Sequence, residues 1–168
     1  MRFAKIIQLI VMTNKEIKIA YTEFDSIDEL SPEHRKLAQA AIDATSLSYA
    51  PYSDFNVGAA VLLADGDIIK GSNQENAAYP SGICAERTAL FYASASRPNK
   101  AMAALAIAAS QENGLLETPV TPCGACRQVM AQYQLKSGIP MRILLVGAHK
   151  IWEFAKVDDL LPFTFDSI

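Results

Sequence analysis

The chain has 168 residues, 51% of them apolar and 20% charged, and its 15 Lys and Arg against 18 Asp and Glu leave a net charge of −3. That size and balance suit one folded domain and exclude disordered, collagen-like and low-complexity chains. Without a cationic excess a phosphate-tracking groove is disfavoured, and no apolar run reaches the roughly 18 residues of a membrane span. In chain order, Phe3 to Met12 is mostly apolar but broken by Lys5 and Gln8, and no small-residue cleavage pattern follows before Lys15, Glu16 and Lys18. The first eleven residues read as a loose extension or a start-site artefact, with Met12 the alternative start. Ile17, Ile19 and Tyr21 alternate with Glu16, Lys18 and Ala20, which predicts a half-buried strand.

Ser31-Pro32-Glu33 is a helix entry: Ser accepts an orphan N–H, Pro suits the first helical position, and an acid meets the positive end of the dipole. This helix is expected to run to about Tyr49, ahead of Pro51. Phe55 to Ala64 and Ile68 to Gly71 form a predicted hairpin turned by Asp65-Gly66-Asp67. A turn at Tyr79-Pro80-Ser81-Gly82 leads into a helix over Cys84–Ser96, and Ala101–Ala109 reads as a buried strand. Thr121-Pro122 opens a helix to about Leu135, Met141–Gly147 is an apolar strand, Ile151–Val157 an edge strand, and Val157–Leu161 a helical turn. Helices alternating with strands imply a sheet covered by helices, with parallel pairing in its second half.

Three cysteines cannot close a disulfide framework, so they point to reduced thiols, metal ligation or catalysis. Cys123 and Cys126 stand three apart at a predicted helix start, where both sulfurs can face one ion. A closed structural zinc site needs a fourth protein ligand. The only histidines, His34 and His149, lack ligand-like spacing and read as ordinary cap or surface residues. Cys84 is the remaining thiol, and three thiolates with one position left for water form the open coordination of a catalytic zinc. Glu86, two residues on, is placed to move protons of such a water. Residues two apart on a helix diverge by about 200°. Cys84 and Glu86 can therefore share a site only if Cys84 lies at the non-helical entry.

Cys84-Ala85-Glu86-Arg87 and Pro122-Cys123-Gly124-Ala125-Cys126-Arg127-Gln128 resemble the two zinc motifs of the cytidine deaminase family, in its small, all-cysteine, homotetrameric branch. Tyr49-Ala50-Pro51-Tyr52-Ser53, Phe55, Val57-Gly58-Ala59-Ala60, Asn73 to Tyr79 and Leu160-Leu161-Pro162 with Phe165 resemble further family segments in the same order. The resemblance implies a three-layer α/β/α sandwich on a mixed, mainly five-stranded sheet. It places the catalytic domain at 31–168, behind a loose or strand-like N-terminal extension at 1–30. It implies zinc-dependent hydrolysis of cytidine and 2′-deoxycytidine to uridine and 2′-deoxyuridine with release of ammonia, in pyrimidine salvage in the cytoplasm. One zinc per subunit would be held by Cys84, Cys123 and Cys126, with Glu86 as the proton shuttle.

The resemblance further implies that Asn73 and Glu75 bind the ribose 3′-hydroxyl and that the Ala85 backbone reads the pyrimidine edge. Phe55 would line the base with Phe165 of a neighbouring subunit in a homotetramer, and Tyr79 would lie near the sugar. Zinc with three thiolates carries a formal −1; two helix N-termini and Arg87, donating to the sulfurs, are expected to offset it. The expected partner is a small nucleoside, with no nucleic acid and no membrane. Competing readings are a deaminase of cytosine-nucleoside antibiotics, a polynucleotide deaminase, and a non-catalytic zinc scaffold, for which neither Glu86 nor an open ligand position is needed.

Overall fold

The computed structural model describes residues 13–112 and 114–166. The apolar Phe3–Met12 stretch and the proposed loose extension of eleven residues lie outside them. Seven strands form one mixed sheet: β1 (Thr22–Phe24), β2 (Asn56–Leu63), β3 (Ile68–Ser72), β4 (Met102–Gln111), β5 (Gly114–Leu115), β6 (Arg142–Val146) and β7 (Ile151–Phe154). Their order is β1-β7-β6-β4-β2-β3, with β5 attached to β4. Among the described residues only the β4–β6 strand pair is parallel, and the remaining strand pairs are antiparallel. The five longer strands are those expected; the three-residue β1 and two-residue β5 bring the count to seven.

Helices cover both faces, giving three layers. On one side α1 (Pro32–Ala44) buries Leu37, Ala38 and Ala41 against Ala60, Leu62, Ala106 and Leu144. On the other, α2 (Ala85–Ser96) and α3 (Gly124–Ser137) bury Ala89, Leu90, Ala93 and Met130 against Val61, Leu63, Leu105, Ile107 and Leu145. Strand residues alternate between the two clusters because successive side chains leave a strand on opposite faces. Glycine sets the closeness of two contacts. A Cβ at Gly58 would lie 2.1 Å from Ala41 O, and one at Gly71 would lie 2.4 Å from Ala89 N and 2.9 Å from Ala85 O. Helix backbone therefore rests directly on strand backbone at both places.

Local chemistry explains where elements start and stop. Ser31 Oγ accepts from His34 N at 3.2 Å, as the helix-entry reading requires. α1 ends at Ala44, not near Tyr49, and tightens into a 3-10 turn over Thr45–Leu47. There Thr45 Oγ1 and Ser46 Oγ donate to the carbonyls of Ile42 and Asp43, each at 2.8 Å, competing with helical bonds. α3 stops at Gly138, whose φ of 67° is left-handed. The strand expected at the edge over 151–157 spans Ile151–Phe154 and is not an edge, because β1 pairs with its outer side; a 3-10 turn over Val157–Asp159 follows it.

The strand expected around Ile17–Tyr21 is replaced by unpaired backbone over residues 13–21 with these side chains exposed; pairing begins only at Thr22. Tyr21 stacks on Phe154 and tilts against Trp152, and Glu23 accepts from Trp152 Nε1 at 2.8 Å and pairs with Lys150. No helix among the described residues is long and apolar enough to cross a membrane.

Candidate active site

The N-termini of α2 and α3 meet at the floor of a cavity of about 740 Å³. Both helices are entered through a cysteine. Cys84 (φ −73°, ψ 153°) and Cys123 (φ −67°, ψ 165°) are extended N-cap residues whose side chains make no capping bond, so each sulfur is free to turn inward. Cys126 follows in the first turn of α3 and is fully buried. The three Sγ atoms lie within 4.8 Å of one another. Thiolates each about 2.3 Å from a tetrahedral ion stand about 3.8 Å apart, so the cluster has the right size for zinc, and a soft sulfur set is what zinc takes. The extended entry at Cys84 also resolves the two-residue spacing. Its side chain leaves before the helix begins, whereas Glu86 leaves from the first turn, and both line the same cavity.

Charge at this corner is managed by helix ends and one arginine. Arg87 Nη2 donates to Cys84 Sγ at 3.7 Å. Its Nε is buried without a hydrogen-bond partner among the described residues, a donor in need of negative charge beside it. Hydrogen bonding from the Cys126 thiol, with help from Arg87, draws the Cys84 thiol down to about 5, and the same bond, with burial, pushes the Cys126 thiol up. Glu86 is only 5% exposed, and burial raises its carboxyl above the usual range. A carboxyl so tuned can hold a proton as well as release one, the property an acid–base shuttle needs.

The cavity walls also take in Tyr52, Ser53, Phe55 and Val57, Asn73–Asn76 with Tyr79, Ile107 of β4, and Val120–Thr121. Asn73 Oδ1 accepts from Val57 N at 2.8 Å and its Nδ2 donates to Phe55 O at 2.9 Å, which leaves one N–H and one lone pair. Glu75 accepts from the backbone N–H groups of Tyr52 and Ser53 at 2.9 and 3.3 Å and from the Ser53 hydroxyl. These bonds hold its carboxyl below the usual carboxylate range, the Ser53 hydroxyl contributing most.

Residues 31–140 match the family described as the cytidine and deoxycytidylate deaminase zinc-binding region. The chain belongs to the cytidine deaminase family. It is thereby an enzyme, a hydrolase of the deaminase class. A cytidine deaminase of Sporosarcina psychrophila is 43% identical over 130 residues, which cover 77% of this chain and 89% of that one. Another, from Halalkalibacterium halodurans, is 48% identical over 100 residues, 60% of this chain and 71% of the relative. Among solved structures, cytidine deaminase from Burkholderia pseudomallei superposes with a TM-score of 0.67 at 38% identity, covering 79% of this chain and 98% of that one.

Of the residues singled out in sequence, the structure brings Cys84, Ala85, Glu86, Arg87, Cys123, Phe55, Asn73, Glu75 and Tyr79 to one cavity, with Cys126 buried beneath it. Phe165 is absent from the walls of this chain's cavity. Gln128 accepts from its N–H at 3.1 Å and donates to its carbonyl at 2.7 Å, leaving the ring 71% exposed. His34 caps nothing at the site; its Nδ1 lies 3.6 Å from Glu153, far along the chain from the cysteines. The sequence does not mark the apolar wall of Val57, Ile107 and Val120 as part of the site: Val57 and Ile107 read as ordinary strand core, and Val120 lies in the irregular stretch before α3.

Proposed function

We propose that the enzyme deaminates cytidine and 2′-deoxycytidine hydrolytically, with one zinc ion per subunit held by Cys84, Cys123 and Cys126. The observation that carries this reading is the convergence of three thiols and the buried Glu86 beneath a cavity wide enough for a nucleoside. Cys84, Cys123 and Cys126 would hold the ion as thiolates, and the ion would supply an activated water, while the two helix N-termini and Arg87 offset the thiolate charge.

The remaining chemistry belongs to the chain. Glu86 accepts a proton from the water attacking C4 and delivers it to N3. It then takes the second proton from the new hydroxyl and gives it to the departing amine, so that the C4–N4 bond breaks, a carbonyl forms and ammonia leaves. The Ala85 backbone reads the pyrimidine edge and Phe55 lines the ring. The free N–H of Asn73 and the carboxylate of Glu75 bind the 3′-hydroxyl, with Tyr79 beside the sugar. Turnover of cytidine with ammonia release is expected to vanish on zinc removal by a chelator and to return on adding zinc. Full turnover in metal-depleted protein would sink the reading.

We assign catalysis to residues 31–168 and treat 1–30 as an N-terminal extension. The enzyme works in the cytoplasm, in pyrimidine salvage; three ligand thiols that must stay reduced support that compartment. It assembles as a homotetramer in which Phe165 reaches a neighbouring cavity. Support comes from the large apolar side chains left exposed at Phe91 and Tyr92 on α2, Leu135 on α3, and Phe163 and Phe165. Light scattering on the active protein should give four chains per particle, and a fully active monomer would contradict it.

A further inference from the structure

We propose that Ser53 is a positioning residue that locks Glu75 against the loop carrying Phe55 and so sets recognition of the sugar hydroxyl; this rests on the reading of Glu75 given above. Ser53 Oγ accepts from Phe55 N at 3.1 Å and donates its one proton to Glu75 Oε1. Glu75 Oε2 takes the N–H groups of Tyr52 and Ser53. An ionised carboxylate has about four acceptor directions. Three are filled by one two-residue stretch, so the carboxylate cannot rotate without breaking them together, and one direction remains for a ligand hydroxyl.

The loop has its own restraint. Asp54, between Ser53 and Phe55, sits at φ 52°, and its N–H donates to Ala50 O at 3.1 Å. Left-handed backbone is tolerated by Asp and rare elsewhere, so the loop is held in shape rather than relaxed. On the other side Asn73 grips the same loop through Phe55 O and Val57 N. One serine hydroxyl thus ties the ring that lines the base to the carboxylate that meets the sugar, across 22 residues of sequence.

The test compares cytidine with 3′-deoxycytidine as substrates of the zinc-loaded enzyme. Ser53→Ala should raise KM for cytidine about tenfold, the weight of one charge-assisted hydrogen bond, with kcat and the KM for 3′-deoxycytidine changed less than about twofold. Ser53→Thr, which keeps the hydroxyl, should stay close to the parent enzyme. Glu75→Gln is run beside them and should also lose discrimination between the two nucleosides. Equal rises for both substrates in Ser53→Ala overturn the proposal, because they mark general loosening. It also falls if Glu75→Gln loses the discrimination while Ser53→Ala keeps it. Discrimination intact in Glu75→Gln removes the sugar role of Glu75 itself.

Discussion

Glu86→Gln should retain zinc and a folded structure yet lose about a thousandfold or more in kcat. General acid–base catalysis by one positioned group is worth roughly 10²–10⁴, and this residue serves more than one proton transfer, so the upper part of that range applies. Glutamine keeps the shape of the side chain and removes the proton. The substitution should also cost little stability, because burial works against the charged carboxylate in the parent protein. Metal analysis and turnover on the same sample check both halves. Near-parental kcat with zinc present would take Glu86 out of the proton path, whereas loss of zinc would make it a support of the ligand cluster.

Cys126→Ala should abolish stoichiometric zinc binding and destabilise the fold. The side chain is fully inaccessible, packed in the cluster that also holds Ala85, Leu90 and Met130. Losing a ligand bound about a thousandfold above its Kd removes about 4 kcal/mol of linkage, and the small void adds about 1 kcal/mol. At about 2–4 °C per kcal/mol for a chain of this size, Tm should fall by roughly 10–20 °C. A chelator should reproduce most of that shift in the parent protein and add none in the variant. A variant with full zinc content and an unchanged Tm would contradict the ligand assignment.

Much of the zinc corner was legible because its signals are local. Cys84 two residues before Glu86, and Cys123 three before Cys126, carry both the side chains that converge and the helix entries that orient them, and the structure has Cys84 and Cys123 in the extended N-cap form. The Ser31-Pro32 start of α1 and the hairpin across Asp65-Gly66 were equally local. What escaped depends on partners distant in sequence. Ile17 to Tyr21 alternate as a strand should, but a strand also needs an open edge, and β7 offers four residues, of which three pair with Thr22–Phe24. The engagement of Asn73 and Glu75 by the 52–57 loop was illegible for the same reason, since their partners lie 16 to 23 residues away. The end of α1 was misjudged by reading Pro51 as the stop, when the hydroxyls of Thr45 and Ser46 had already diverted the carbonyls.

The bare contact at Gly71 gives the site a mechanical reference. Side chains packed between helix and sheet can change rotamer and let a helix slide by a fraction of an ångström, but peptide against peptide has no such slack. Ala89 N and Ala85 O, among the atoms a Cβ at that glycine would meet first, belong to the opening turns of α2, which carry Cys84 and Glu86. β3 therefore acts as an anvil for the catalytic end of α2. The same strand ends one residue past Gly71, at Ser72, and Asn73 follows directly, so the groups assigned to the sugar and those assigned to the chemistry are gauged from one piece of backbone, and their spacing is insulated from repacking elsewhere in the core.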